Sequence, residues 1–306
     1  MDYRKFIVEN LEGTERVDKY LTKAILESDE EITRSELKKY FDDGFVKINN
    51  QIIKPSYKVK NGEEIIVYNR EIEPLTLVKE DIPLNIVYED NDVVIINKPS
   101  GMVVHPGVGH TRGTLVNALL YHIDSLSDVR GEYRPGIVHR IDKDTSGLLI
   151  ICKNNVSHNF IAKQLKDKTS KREYYALVYG NFDHRQGRID APIGRDPNDR
   201  QKQAVVEDGK ASVTNFTVLE SYNGFSLVSC KLETGRTHQI RVHMSYIGHP
   251  VVGDPLYGPR KVIGNNGQYL HAKTIGFVHP TTNEYMEFDS EIPEDFVEKM
   301  NELKNA

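Results

Sequence analysis

The sequence has few of the features that mark secreted, membrane-bound or disulfide-bonded proteins. Its 306 residues include two cysteines, Cys152 and Cys230, and each lies in an apolar segment typical of a strand. These cysteines do not make a disulfide framework, and they indicate small core residues of a reducing, cytoplasmic protein. No apolar stretch approaches the ~20 residues that span a bilayer. The segment Met1 to Lys5 lacks the apolar region of a secretory signal, so we expect neither membrane attachment nor export.

An excess of positive charge, which is common in nucleic-acid-binding proteins, is also missing. The formal net charge is −5, and the pI is near 6.1. This balance argues against a protein that is basic overall, but phosphate binding requires only a local positive surface. Two basic clusters exist, each by itself more typical of a solvated face than of a binding site. They are Arg34, Lys38, Lys39 and Lys47, and Lys163, Lys166, Lys168, Lys171 and Arg172.

Glycine-rich nucleotide-binding loops are absent, since neither Gly-x-Gly-x-x-Gly nor Gly-x-x-x-x-Gly-Lys-Ser/Thr occurs. A nucleotide cofactor therefore has no motif to support it. The segments 174–178, 214–219 and 225–232 have the composition of strands, and strands outnumber helices without alternating with them. This order predicts an α+β fold with a mixed or antiparallel central sheet rather than a doubly wound one.

A compact module is expected near the N-terminus, where two helical segments precede several short strands. Gly44 is placed to end the second helix, and Asn49-Asn50 to make a tight turn between two strands, because both residue types tolerate positive φ. A charged segment with two prolines follows. We expect an N-terminal domain at 1–70, a linker at 71–83 and a larger domain at 84–306.

The most informative segment is His139-Arg140-Ile141-Asp142-Lys143-Asp144-Thr145-Ser146-Gly147. It contains two side chains that can be cationic, a carboxylate and a turn rich in small polar residues. The apolar run Leu148–Ile151 comes next and predicts a strand buried on both faces. Asp142 is therefore expected on a loop held against a buried strand, where a carboxylate keeps its position.

Three other interpretations of this loop are open. Asp142 and Asp144 begin with the spacing of a calcium loop, but Lys153 stands where that loop needs a glutamate. The same two aspartates offer an Asp-x-Asp metal site, for a metal-dependent hydrolase or transferase. Asp142 could instead cap backbone amides in a structural turn, as aspartates commonly do.

Two further segments complete a family pattern. Arg172-Glu173-Tyr174 begins a strand, and Leu232-Glu233-Thr234-Gly235-Arg236-Thr237-His238-Gln239-Ile240-Arg241-Val242-His243 reads as a turn followed by a helix with Arg236 at its head. Together with the segment 139–147, they resemble the RluA/RluD family of RNA pseudouridine synthases. The N-terminal module resembles the S4 RNA-binding domain through Arg16, Asp18, Leu21, Thr33-Arg34-Ser35, Gly44-Phe45-Val46, Asn49 and Lys54-Pro55.

This resemblance implies an isomerase that converts uridine to pseudouridine in RNA, with no redox step, no cofactor and no metal. It implies that Asp142 is the nucleophile or base, and we expect Arg236 to be the cation that pairs with it. Tyr174 would lie against the uracil, and Ile240 would supply apolar packing near the base. Arg140 is implied to enter the RNA where the target base leaves it.

The S4 resemblance places the RNA-facing surface on the second helix and the hairpin after it, where Arg34, Lys38, Lys39 and Lys47 fall. Large-subunit rRNA is the favoured substrate, and we expect a monomer. The alternatives are a tRNA-directed synthase and a non-catalytic RNA-binding protein. A protein–protein role for the N-terminal module also stays open, since basic faces are not diagnostic of RNA.

Overall fold

The computed structural model describes most of the chain, namely residues 3–68 apart from 10, 12 and 27–33, and residues 77–305 apart from 108–110, 132–133, 200, 262 and 265–266. Helix positions 26, 34–36 and 39 are described by their backbone alone. The chain separates into two compact units, Met1–Thr76 and Leu77–Ala306. Each unit has its own apolar core.

The described residues of the smaller unit form two helices, a four-stranded sheet and a separate two-stranded pairing. Val17, Leu21 and Ile25 recur at helical spacing and bury one face of the first helix in the core. The predicted turn is confirmed, since Asn49 and Asn50 have φ values of 51° and 63° between two paired strands. The elements are β1 (Tyr3–Ile7), β2 (Glu15–Arg16), α1 (Val17–Leu26), α2 (Arg34–Asp42), β3 (Val46–Ile48), β4 (Gln51–Ile52), β5 (Lys58–Val59) and β6 (Glu64–Tyr68).

The described residues of the larger unit form a nine-stranded sheet, one separate two-stranded pairing and four helices. Its elements in the first half are β7 (Ile86–Glu89), β8 (Val93–Lys98), α3 (Leu115–His122), β9 (Ser146–Cys152), α4 (Asn155–Asp167), β10 (Lys171–Tyr179), β11 (Gln186–Asp190) and β12 (Ile193–Arg195). Those in the second half are β13 (Gln203–Val205), β14 (Val213–Ser221), β15 (Phe225–Leu232), α5 (Gln239–Tyr246), β16 (Leu270–Val278), β17 (Tyr285–Asp289) and α6 (Glu294–Lys304).

The central sheet has the order β11-β14-β15-β10-β16-β9-β8-β7, and β17 pairs with β16. Its pairings are antiparallel except that of β16 with β9, which is parallel, so the predicted mixed sheet is confirmed. All seven residues of β9 are buried, as its apolar run predicts. Gly147 allows the parallel pairing: its φ is +110°, and a Cβ there would lie 2.3 Å from the carbonyl oxygen of Ala272.

Segments around the sheet are tied to it by hydrogen bonds. Residues 77–83, the described part of the predicted linker, lie against α3: the Asn117 side chain donates to the Val78 carbonyl, and the Glu80 amide donates to the Asn117 carbonyl. Cys152 and Cys230 are both buried and unpaired, which confirms the prediction of core residues. Across the described chain, every helix is too short or too polar to cross a membrane.

Candidate active site

A cleft of about 540 Å³ opens in the larger unit, beside the loop that precedes β9. Its walls come from this loop, from α4, from the start of β10 and from the segment that leads into α5. Cations dominate the lining, so the cleft suits a polyanionic ligand. The lining cations are Arg130, Arg134, Arg140, Lys166, Lys168, Arg172, Arg236 and Arg241, and the lining carboxylates are Asp142 and Glu233.

Asp142 lies on this loop and faces Arg241. The Arg241 Nη1 donates to Asp142 Oδ2 at 2.9 Å, and the Asp142 side chain is 18% exposed, so the carboxylate still reaches the cleft. The side chain thus pairs with a guanidinium rather than capping backbone amides. A carboxylate that is partly buried and open to a ligand can act as a nucleophile or a general base.

Arg241 is held in turn by Asp254, whose side chain is fully buried. Nε lies 2.6 Å from Oδ2 and Nη2 lies 2.9 Å from Oδ1, which is a two-point contact. Burial alone would lower the pKa of Arg241, but the hydrogen bonds and charges of Asp254 and Asp142 raise it above its usual range. Asp254 also accepts from the amides of Leu256 and Tyr257, and is thereby fixed. Arg241 is therefore a rigid cation aimed at Asp142.

The expected pairing of Arg236 with Asp142 is wrong. Among the described residues Arg236 has no contact with this carboxylate, and its Nε and Nη2 donate to the Ala211 carbonyl at 3.3 Å. The reason is local: α5 begins at Gln239, so Arg236 lies in an exposed turn before it. Arg241, in the first turn of the helix, takes the position that was assigned to Arg236. Arg236 still lines the cleft.

Tyr174 and Ile240 close the apolar side of the cleft. Tyr174 is 7% exposed and Ile240 is 4% exposed, and both belong to the main core while lining the cleft. Burial raises the pKa of the Tyr174 hydroxyl, although the charge of Arg172 acts in the opposite direction. The phenol is therefore neutral at rest. A flat ring beside an aliphatic side chain is suited to a planar, uncharged ligand such as a base.

The neighbours of Asp142 in the loop have separate tasks. His139 Nε2 accepts from the Ile150 amide at 3.0 Å, and burial lowers the pKa of the ring to about 3, with a further contribution from the charge of Arg172. His139 thus fastens the loop to β9. Arg140 is exposed, and its Nη1 makes only a long contact of 3.4 Å with His105 Nε2.

Two residues near Asp142 were not predicted from the sequence to belong to the site. His238 has a positive φ of 57° immediately before α5, and its Nε2 lies 3.9 Å from Asp142 Oδ1.

Lys98 is completely buried, and its ammonium donates to the carbonyls of Pro99, Met102 and Lys143. Lys98 therefore supports the loop at the residue after Asp142. A lysine followed by proline at the end of a strand was the available signal, but its partner is 45 residues away.

In the smaller unit, the predicted RNA-facing residues are only partly described. Lys38 on α2 is exposed, and the Lys47 ammonium lies 5.0 Å from the centroid of the Tyr68 ring. The side chains of Arg34 and Lys39 lie outside the described residues, and their backbone belongs to α2. Their RNA contacts stay predictions.

Comparisons with known proteins agree with these features. Residues 92–246 match the RNA pseudouridylate synthase family model, and residues 15–65 match that of the S4 domain. The chain is 51% identical to an uncharacterized RNA pseudouridine synthase of Bacillus subtilis, over 95% of both chains. It is 44% identical to the ribosomal large subunit pseudouridine synthase D of Zymomonas mobilis, covering 86% of this chain and 87% of that protein.

A solved structure gives the same result. The human RNA pseudouridylate synthase domain containing 1 protein is 28% identical, with a TM-score of 0.54 over 69% of this chain and 84% of that one. The family match covers the loop of Asp142, the strand of Tyr174 and the first helical turn with Arg241. The chain therefore belongs to the RNA pseudouridine synthases, isomerases that act on RNA, and it carries an S4 domain in front of the synthase domain.

Proposed function

We propose that this synthase isomerises specific uridines of large-subunit rRNA, with Asp142 as its nucleophile or base. The observation that carries the assignment is the contact of 2.9 Å that holds the Asp142 carboxylate to Arg241 in a cationic cleft. The rRNA target is supported by the 44% identity to a relative named for the large ribosomal subunit. We expect a monomer, and we infer a cytoplasmic site of action, where rRNA is modified.

The reaction breaks the N1–C1′ bond, turns the uracil and forms a C5–C1′ bond. The C5 proton is lost and N1 gains one, so no oxidant or reductant takes part. Asp142 can add to C6 of the uracil or assist departure at C1′, because a carboxylate serves either step. Arg241 places a positive charge 2.9 Å from the carboxylate, and this charge stays beside it when a bound base shields the site from water. Tyr174 lies against the base and can take part in removing the C5 proton.

A uridine within structured RNA must leave its stack before it can reach Asp142. Extrusion costs a few kcal/mol, and least where the base is already unpaired. Arg140 is exposed and only loosely held by His105, so its guanidinium can fill the space that the base vacates. Lys38 and Lys47 of the S4 domain, with Arg34 and Lys39, would add phosphate contacts.

The test uses a large-subunit rRNA transcript labelled with tritium at C5 of uridine, because isomerisation releases that tritium. We expect Asp142→Asn to release none while its RNA affinity stays within a few fold. Asp144→Asn, two positions along the same loop, is the matched control and should turn over, also in the presence of a chelator. Full turnover by Asp142→Asn would remove the assignment. Carbodiimide mapping of pseudouridine in total RNA, with and without the gene, would show rRNA or tRNA as the target.

A further inference from the structure

Arg172 is a buried guanidinium that has no partner of its own. It is 8% exposed and lines the cleft two residues before Tyr174. Among the described residues it makes no hydrogen bond or ion pair, and its Nε is buried and unsatisfied. Arg241, the other buried arginine of the cleft, has two carboxylates. Burying a guanidinium without an anion costs several kcal/mol, so its position needs an explanation.

The groups around Arg172 cannot supply the missing anion. His139 is neutral, and its Nε2 already accepts from the Ile150 amide, which leaves the hydrogen on Nδ1. Tyr174 is a neutral phenol at rest. Gly235 packs against the guanidinium, and a Cβ there would lie 2.6 Å from Arg172 Nη1. The missing side chain at Gly235 leaves room for the guanidinium, but Gly235 supplies no charge.

Both carboxylates of the cleft are committed elsewhere. Asp142 pairs with Arg241 at 2.9 Å. Glu233 accepts from the Asn215 side chain at 3.0 Å and from Arg188 Nε at 3.4 Å, and Lys168 lies 3.6 Å away. Within the described part of the chain no free anion remains for Arg172, and we infer that a ligand supplies it.

We propose that Arg172 binds a backbone phosphate of the RNA inside the cleft, next to the nucleotide that enters it. The proposal rests on the proposed function, because RNA brings phosphates as its anions. A guanidinium offers two parallel N–H donors to a phosphate, and burial makes this contact stronger than an exposed one. Lys166 and Lys168 line the same cleft and would neutralise phosphates of the RNA strand that enters it. Arg172 would thus be a positioning residue that fixes the phosphate, and with it the base over Asp142.

The test compares Arg172→Met, Arg172→Lys and the control Arg185→Met, which removes one charge from an exposed residue outside the cleft. Affinity for a large-subunit rRNA transcript is measured at several KCl concentrations, in the Asp142→Asn background to prevent turnover. We expect Arg172→Met to bind roughly tenfold to a hundredfold more weakly. Its slope of log affinity against log salt should fall by roughly 0.7–0.9, the value of one phosphate contact. Arg172→Lys should keep the slope, and Arg185→Met should leave the affinity unchanged.

Thermal unfolding of the free protein separates this role from a structural one. Because Arg172 has no partner to lose, Arg172→Met should unfold at the same temperature as the parent protein or a higher one. Lower thermal stability with an unchanged salt slope would show a structural role and overturn the inference. If Arg172→Met in the otherwise wild-type chain lost turnover while the salt slope of the Asp142→Asn background stayed unchanged, Arg172 would contact base or sugar, which also overturns the inference. Failure of the wild-type chain to release tritium would refute the proposed function instead, and the salt slope would still report the phosphate contact.

Discussion

Arg241 and Asp254 form a buried two-point ion pair that orients a third group, the carboxylate of Asp142. Two nitrogens of the guanidinium are taken by Asp254 and the remaining one is directed at Asp142. Removing one partner of such a pair leaves an uncompensated buried charge. We expect Asp254→Ala to lower the free energy of unfolding by about 3–5 kcal/mol.

Urea unfolding measures this loss. Asp190→Ala is the control, because it breaks an ion pair with Arg188 whose two side chains are both more than half exposed. Exposed pairs contribute up to about 1 kcal/mol. Equal stability of the two variants would contradict a supporting role for Asp254.

The assignment of the catalytic cation to Arg241 rather than Arg236 is directly testable. Arg241→Lys keeps the charge but cannot contact Asp254 and Asp142 at the same time, because an ammonium lacks the planar fork. We expect kcat in the tritium-release assay to fall on the order of a hundredfold or more, as when an oriented catalytic donor is lost. Arg236→Lys should change kcat by no more than a few fold. The reverse ranking would restore Arg236 as the partner of Asp142.

Lys98 should matter for both stability and turnover, although it does not touch the cleft. Lys98→Met leaves three carbonyls without their buried donor, and each unsatisfied buried group costs about 1–3 kcal/mol. We expect a loss of at least about 2 kcal/mol in urea unfolding, together with a lower kcat because the Asp142 loop loses its support. Lys163→Met, which removes an exposed pair on α4, should cost less than about 1 kcal/mol. An unchanged kcat in folded Lys98→Met would show that Lys98 does not support the Asp142 loop.

We expect the turn between β7 and β8 to make the stability of the synthase domain fall at acid pH. Asp90 accepts from the amides of Asp92 and Val93 and from Tyr88, and His279 contacts it. Burial alone would raise the pKa of Asp90, but these hydrogen bonds lower it below its usual 3.8. A carboxyl whose pKa is lower in the folded state stabilises the fold at neutral pH, and this stability is lost as the pH falls through and below that value.

Unfolding by urea at neutral pH and near pH 3 tests this dependence. Asp90→Asn should be less stable at neutral pH, and its stability should fall less steeply with acid than that of the wild-type chain. The exposed Asp124→Asn should behave as the wild type does. If the stability of Asp90→Asn fell with acid in parallel with that of the wild-type chain, this turn would not be the source of the pH dependence.

Local patterns accounted for much of the fold. The run Leu148–Ile151 is apolar throughout because β9 is buried on both faces, and Asn49-Asn50 make a turn because asparagine tolerates positive φ. Both features depend on neighbouring residues alone. The parallel pairing of β9 with β16 had no such signal, since it joins Ser146 to His271 across 125 residues.

The candidate site was only partly predictable for the same reason. Asp142, Tyr174 and Ile240 line one cleft as expected. Arg236 and Arg241 stand five residues apart in one motif, and the sequence does not show which of them is buried. The distinction depends on where α5 begins and on Asp254, which lies 13 residues further along the chain. The sequence shows an aspartate after Gly253, but neither its burial nor its contact with Arg241.

The parallel pairing of β9 with β16 also bears on how the enzyme is made. The strand that follows the Asp142 loop has β16 as its neighbour, and β16 is also the neighbour of β10, the strand of Tyr174. Until residues 270–278 have been synthesised, β16 is missing, and β9 and β10 each have one unpaired edge. Such edges are prone to pair with other chains. The strands β9 and β10 can therefore join in one sheet only after translation has passed residue 278.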